Sequence, residues 1–239
     1  MNKLLFTTGA IALAALAYLG SGLSVSAAEE KAVKLPPPAI DTPATANTAT
    51  AVFAGGCFWG VQGVFQHTKG VLNAVSGYAG GDKATASYDI IGSGRTGHAE
   101  SVQITYDPKQ VSYGKLLQIY FSVAHDPTTL NRQGPDHGTQ YRSAIFYLDA
   151  NQKQVAEKYI AQLDAAKVFP GKIVTQLTPL AAPLAFYPAE AYHQNYATLH
   201  PSEPYIATFD LPKIANLKTM MPELYRDKPV LVSQAGKAG

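Results

Sequence analysis

The chain has one cysteine, one tryptophan and little charge among its 239 residues. A single cysteine excludes an internal disulfide, so no covalent cross-link staples the fold. Charged residues make up 15% and the formal net charge is +2, too little to argue for nucleic acid or an anionic membrane surface as partner. No internal repeat is visible. The length suits one well-buried domain or two small ones. The lone thiol, Cys57, leaves three readings: an inert core residue, a surface accident or a reactive group. An idle free thiol is a liability in an oxidising compartment.

What is present begins with a targeting segment. Lys3 supplies a short basic start, an apolar run follows from Leu4 to Leu19, and Val25-Ser26-Ala27 has the small-x-Ala form of a cleavage site. Residues 1–27 therefore read as a secretory signal peptide, which places the mature chain in the periplasm or outside the cell. The apolar run is also near the length of a membrane span, so an uncleaved anchor is the rival reading. Residues 28–47 are rich in Ala, Pro and Thr, with Pro36-Pro37-Pro38 in a row, and read as a semi-rigid linker or disordered leader. A catalytic domain is expected over 48–205. Residues 206–239 have few apolar periods and read as a C-terminal wrapping tail, without cysteine and frayed at its end.

Within 48–205 strand and helix signals alternate. Thr50–Ala54 reads as a short strand, broken by Gly55-Gly56. A helix is expected over Cys57–His67, with Phe58, Val61 and Phe65 on one face. Val71–Tyr78 is the next strand. His98–Tyr106 alternates, placing His98, Glu100, Val102, Ile104 and Tyr106 on one side. Ser112 caps a helix, and Arg142–Leu148 reads as a central strand. Asn151–Ala166 is an amphipathic helix, Ile173–Pro179 a late strand, and Pro188–Tyr196 helix-like after its proline. The fold class expected is α+β, a mixed β-sheet with packed helices.

Cys57 follows two glycines at a strand-to-helix turn. The turn leaves space before the sulfur, and the helix start favours thiolate over thiol, so a lowered thiol pKa is expected. Packing as a small buried residue is the alternative. Phe58 and Trp59 leave the helix at different angles and form either an aromatic wall beside the sulfur or ordinary core. Glu100 is the one carboxylate on an apolar strand face. There its pKa should rise, leaving a neutral acid able to give a proton; a solvated strand end is the other reading. The stretch GPDHGTQYRS at 134–143 gathers Asp136, His137, Gln140, Tyr141 and Arg142 before a buried strand, as a site mouth or as a solvated turn. Tyr78, His193 and Tyr196 are further site or structural candidates.

Taken together, GGCFWG at 55–60, GYAGG at 77–81, TGHAE at 96–100, HDPTTLNRQGPDHGTQYRS at 125–143 and AEAYHQNY at 189–196 resemble the A-class peptide methionine sulfoxide reductases. The resemblance implies reduction of methionine sulfoxide, free or in oxidised proteins, at the S epimer, in a two-layer ferredoxin-like sandwich. It implies Cys57 as nucleophile, Glu100 as acid, Tyr78 and Tyr141 as hydrogen-bond donors to the sulfoxide oxygen, and Phe58 and Trp59 around the S-methyl group. Asp136 and Tyr196 match further substrate-binding positions. No bound cofactor and no metal are implied. Many relatives carry resolving cysteines in the tail. Here the sulfenic acid on Cys57 must be reduced by an external thiol: a thioredoxin-like protein, a glutaredoxin-like protein or a small thiol. Ala191 and Gln62 stand where relatives often have acids. Two other functions compete: a Cys–His hydrolase or acyl transferase with His193 as base, and a peptide-binding module that has lost its chemistry.

Overall fold

The computed structural model describes residues 31–180 and 185–233. The signal or anchor segment, residues 1–27, lies outside them. The chain runs β1 (Ala49–Gly55), α1 (Phe58–Gln66), β2 (Val71–Ala79), α2 (Tyr88–Ile91), β3 (Ala99–Tyr106), α3 (Tyr113–Ile119), β4 (Arg132–Gln133), β5 (Asp136–His137), β6 (Ser143–Tyr147), α4 (Ala150–Ala166), β7 (Gln176–Pro179), β8 (Phe186–Pro188), α5 (Tyr196–Leu199) and α6 (Leu211–Met220). Wider π-helical turns continue α3 over Tyr120–Ala124 and lead into α6 over Ile206–Asp210.

Six strands form one sheet in the order β7-β6-β1-β3-β2-β8. All neighbours are antiparallel except β6 and β7, so the sheet is mixed. β4 and β5 form a separate hairpin. The two-residue period of β1 divides the interior. Ala51 and Phe53 enter the large core that includes side chains of α1, α3, α4 and α6, while Val52 and Ala54 join a small cluster with Ala79, Ala99, Ala144 and Phe146. Val102, Ile104 and Tyr106 of β3 belong to the large core, and the same period puts Glu100 on their side. The α+β class and the packed helices are as expected.

Three local expectations change. The segment read as a linker is docked from Val33 to Asp41. Leu35 is buried, and the carbonyls of Leu35, Pro36 and Pro37 accept from Gln118, Tyr159 and Gln162 at 2.7–3.0 Å. Prolines remove donors but leave carbonyls free to bond outward, which suits a strap laid over helices. Asp41 at its end accepts from Gly114 N–H at 2.8 Å and from the Ser112 hydroxyl, reinforcing the α3 cap.

The stretch 188–196 is not a helix. It holds a short 3-10 turn, Ala191–His193, and α5 begins only at Tyr196. The side chains of Gln194 and Asn195 satisfy β2 and α1 instead, which leaves Asn195 at a left-handed φ of 62°. The tail contains α6, whose Ile214 and Leu217 are buried, followed by residues 224–230 bonded along the end of α1. The strand β8 went unread because three residues with a terminal proline carry almost no period.

Gln62 explains why an amide, not an acid, stands in α1. It is buried, and its Nε2 donates to Ala74 O at 2.9 Å and to Gln194 Oε1 at 2.8 Å, while its Oε1 accepts from Asn195 N at 2.8 Å. A carboxylate has no proton for the first two partners. Gln62→Glu should therefore cost about 2–4 kcal/mol in urea denaturation at pH 7, from lost donors and a buried charge.

Candidate active site

Cys57 occupies the N-cap position of α1, and Gly56 before it has φ of +85°, a left-handed conformation open to glycine. The first N–H of α1 has no partner in its own helix. Phe58 N–H donates to Glu100 Oε2 at 3.0 Å, so a carboxyl from the centre of the sheet caps the helix that carries the thiol. Glu100 is 2% exposed. Burial pushes its carboxyl up to about 8, helped by Asp136 and Asp210, and the Phe58 N–H offsets only part of this. At neutral pH Glu100 holds a proton beside Cys57.

The thiol itself departs from expectation. A lowered pKa follows from the helix start alone, yet burial first, then Asp210 and Glu100, hold Cys57 well above the usual thiol range. The Trp59 N–H pulls the other way and is outweighed. The local field of a helix end loses to burial first, and two carboxyls from distant parts of the chain add to it. Asp210, fully buried, packs over the first turn of α1: a Cβ at Gly60 would lie 2.2 Å from its Oδ1. Lys213 Nζ lies 3.9 Å from the same oxygen.

Around this pair stand the other expected residues. Tyr78 faces Glu100 across the β2–β3 ladder and is fully buried. Its hydroxyl donates to Glu190 Oε2 at 2.7 Å, so its one proton is not directed at a substrate oxygen as the resemblance implied. Tyr141 ends the 3-10 turn Thr139–Tyr141. Burial raises its phenol first, then Glu100, Asp136 and Cys57, which sets its hydroxyl in their field.

Phe58 is buried with its ring 5.9 Å from Tyr78. Trp59 stacks on Tyr196 at 4.0 Å and donates from Nε1 to His193 Nδ1 at 3.2 Å. Asp136, at the tip of the β4–β5 hairpin, accepts from the Tyr205 hydroxyl. Burial raises its carboxyl, against Tyr205 and Lys213.

The remaining candidates are structural. Arg142 ties its guanidinium to the carbonyls of Gly97, His98 and Thr139. His125 is buried between Tyr120 O and Ser143 Oγ and stays neutral, its pKa pushed down to about 3 by burial. His193 accepts from Trp59, and among the described residues no histidine hydrogen-bonds Cys57, which removes the basis of the Cys–His hydrolase reading. Among the described residues no group of three or more His, Cys, Asp or Glu is placed to hold a metal.

This geometry matches a known family. Residues 49–223 fit the family model described as peptide methionine sulfoxide reductase. The chain is 62% identical over 196 residues to a peptide methionine sulfoxide reductase MsrA 2 of Mesorhizobium japonicum, covering 82% of this chain and 99% of that one. The chain belongs to the A-class peptide methionine sulfoxide reductases. A Synechocystis protein of the same printed name is 48% identical over 81% of this chain and 89% of its own. Solved structures agree: methionine sulfoxide reductase A of Corynebacterium diphtheriae superposes with TM-score 0.56 at 35% identity, over 72% of this chain and 86% of that one. Mxr1 from Saccharomyces cerevisiae in reduced form gives 0.59 at 32%, over 71% and 94%. As a member of this reductase family the chain is a thiol-dependent enzyme that reduces methionine sulfoxide.

Sequence reasoning missed Tyr88, Glu190, Tyr205, Asp210 and Lys213. One signal was available: Asp210-Leu211-Pro212 is a helix start, with an N-cap acid before an early proline. The others announce themselves only through contacts across the fold. The neutral state of Cys57 has a direct check. Alkylation of the native protein by iodoacetamide should be slow at pH 7 and still rising above pH 9; a rate that levels off below pH 7 contradicts it.

Proposed function

We propose that this chain reduces the S epimer of methionine sulfoxide, free or in oxidised proteins, through a sulfenic acid on Cys57. The observation that carries the reading is the protonated Glu100 beside the thiol. The Cys57 sulfur attacks the sulfoxide sulfur as its own proton and that of Glu100 pass to the sulfoxide oxygen, which leaves as water; a water molecule then attacks the Cys57 sulfur, releases the thioether and returns a proton to Glu100. The thiol loses two electrons and becomes a sulfenic acid; the sulfoxide gains them and becomes a thioether. Tyr141 hydrogen-bonds the oxygen as its charge develops. Phe58 and Trp59 hold the S-methyl group, with Asp136 and Tyr196 flanking them.

The sequence has no second cysteine, so the cycle needs an external thiol. One thiol condenses with the sulfenic acid to release water and form a mixed disulfide, and a second thiol frees Cys57. A thioredoxin-like protein, a glutaredoxin-like protein or a small thiol supplies these electrons. The sheet order supports a ferredoxin-like two-layer sandwich over β1, α1, β2, β3, α3 and β6, the central strands running β6-β1-β3-β2. The apolar run in residues 1–27 supports export, with repair of exported proteins in the periplasm or outside the cell.

Turnover with excess dithiothreitol on an S-sulfoxide, and none on the R epimer, is the expected specificity; equal rates would overturn it. Cys57→Ser abolishes turnover, and a dimedone-type trap labels wild-type Cys57 after one turnover without reductant. Glu100→Gln lowers kcat/KM by roughly 100-fold or more while the protein stays folded. Because the raised carboxyl is active only when protonated, wild-type kcat/KM is retained below about pH 8 and falls above it as Glu100 ionises. A rate that keeps climbing through pH 9 contradicts the acid role.

A further inference from the structure

A cavity of about 600 Å³ opens beside the thiol site, a volume suited to a small organic molecule. Three distant parts of the chain wall it: Lys31 at the entry to the docked strap, Asp136 of the β4–β5 hairpin, and Tyr205, Phe209, Lys213 and Asn216 of the tail. Cys57, Phe58, Trp59 and Glu100 are not among its walls. The cavity is thus distinct from the place expected for the S-methyl group. Asp136 and Tyr205 form the partition between the two. The Tyr205 hydroxyl donates to Asp136, and its ring meets Trp59 edge-on with centroids 6.1 Å apart. Burial raises the Tyr205 phenol and the charge of a Cys57 thiolate raises it next, so Tyr205 stands within electrostatic reach of the sulfur.

The charged groups of the walls are Lys31, Lys213 and Asp136. Asp136 already accepts from Tyr205, and Lys213 lies 3.9 Å from Asp210, which stands behind the wall. With Asp210 counted the four charges cancel. What borders the cavity itself is two ammonium groups and one carboxylate bonded to a phenol. Lys213 is 6% exposed, so its ammonium sits in a poorly solvated wall, where an anion gains more than at an open surface. The chemistry has a second ligand to place. A chain with one cysteine needs an outside thiol to reduce its sulfenic acid. A protein thiol approaches from the surface and needs no recess, whereas a small thiol gains from being held close to the sulfur it attacks.

We propose that this cavity binds the reducing thiol, and that the thiol is a small, flexible one bearing carboxylates, its acid groups against Lys213 and Lys31 and its sulfur reaching past Tyr205 to Cys57. The inference rests on the sulfoxide-reductase reading of the site and narrows the reductant that reading requires. The thiol sulfur bonds to the Cys57 sulfur as the Cys57 S–O bond breaks, and the thiol proton leaves with the hydroxyl as water. The incoming sulfur is oxidised and the Cys57 sulfur is reduced, giving a mixed disulfide. A second molecule of the same thiol attacks the outer sulfur and carries it off as a free disulfide, and its proton passes to Cys57.

Steady-state turnover of the full chain at pH 7 tests it, with saturating S-sulfoxide and with glutathione, glutathione diethyl ester or dithiothreitol as reductant. Glutathione and its diethyl ester share one sulfur and differ in two carboxylates. Glutathione should saturate, with kcat/KM about tenfold or more above that of the ester, the scale of a lost hydrogen bond to a charged group. Lys31→Glu combined with Ala215→Glu places two carboxylates at exposed positions of the wall, and its thermal unfolding midpoint serves as a folding control. In that variant the ratio of kcat/KM for glutathione to kcat/KM for dithiothreitol should fall about tenfold or more through like-charge repulsion. A general loss of activity moves both numbers and leaves the ratio alone. Equal kcat/KM for glutathione and its ester, or an unchanged ratio in the double variant, overturns the proposal. So does a double variant that alters only KM for a sulfoxide-bearing peptide, which gives the cavity to the substrate's flanking chain, or turnover with a thioredoxin and none with glutathione. A wild type that forms no dimedone-reactive Cys57 with the S-sulfoxide instead sinks the reading beneath it.

Discussion

The hydrogen bond from Phe58 N–H to the Glu100 carboxyl joins the two halves of the site. It links the first turn of α1 to the start of β3, so the segment bearing Cys57 is registered against the sheet. A helix start normally favours an ionised acid, and here it contributes one N–H against near-complete burial. Burial wins, and the acid stays neutral. The bond therefore fixes geometry and proton inventory together: a thiol at the cap, and a protonated carboxyl one residue's reach away.

The surrounding fold maintains that balance. Asp210 and Asp136 add negative field from the tail and from the β4–β5 hairpin, which discourages ionisation of both Cys57 and Glu100. The resting sulfur is thus a thiol, the form least open to stray oxidants. Attack becomes favourable when a sulfoxide oxygen draws the Glu100 proton and relieves the need for charge on the sulfur. Glu190, through Tyr78, Tyr88 and His193, organises the opposite wall, where Trp59 and Tyr196 stack.

Much of this was legible in the chain because it is written locally. Strict alternation along His98–Tyr106 placed Glu100 on an apolar face, and Gly55-Gly56 before an apolar helix placed Cys57 at a turn. Ser112 and Asp149 cap their helices through their own side chains, so sequence signals and structure coincide at α3, and Asp149 begins α4 beside the expected Asn151 start. What escaped depends on distance along the chain. The direction of the Cys57 shift was misjudged because burial of the sulfur, and after it the field of Asp210, far away in sequence yet packed on Gly60, outweigh the helix end. The prolines at 36–38 suggested a linker, but their carbonyls find Tyr159 and Gln162. The PAEAYHQNY stretch has helical composition, but its amides serve β2 and α1 instead of an intrahelical ladder.

The neutral state of Glu100 at pH 7 governs the chemistry of the site, and its ionisation can be watched directly. Carboxyl carbon chemical shifts of glutamate-labelled protein, with Glu100→Gln to assign the signal, report it across pH 4 to 10. One carboxyl should titrate near 8 and be lost in the variant. A Glu100 signal that has finished ionising by pH 6, in the range of an ordinary glutamate near 4.5, contradicts it.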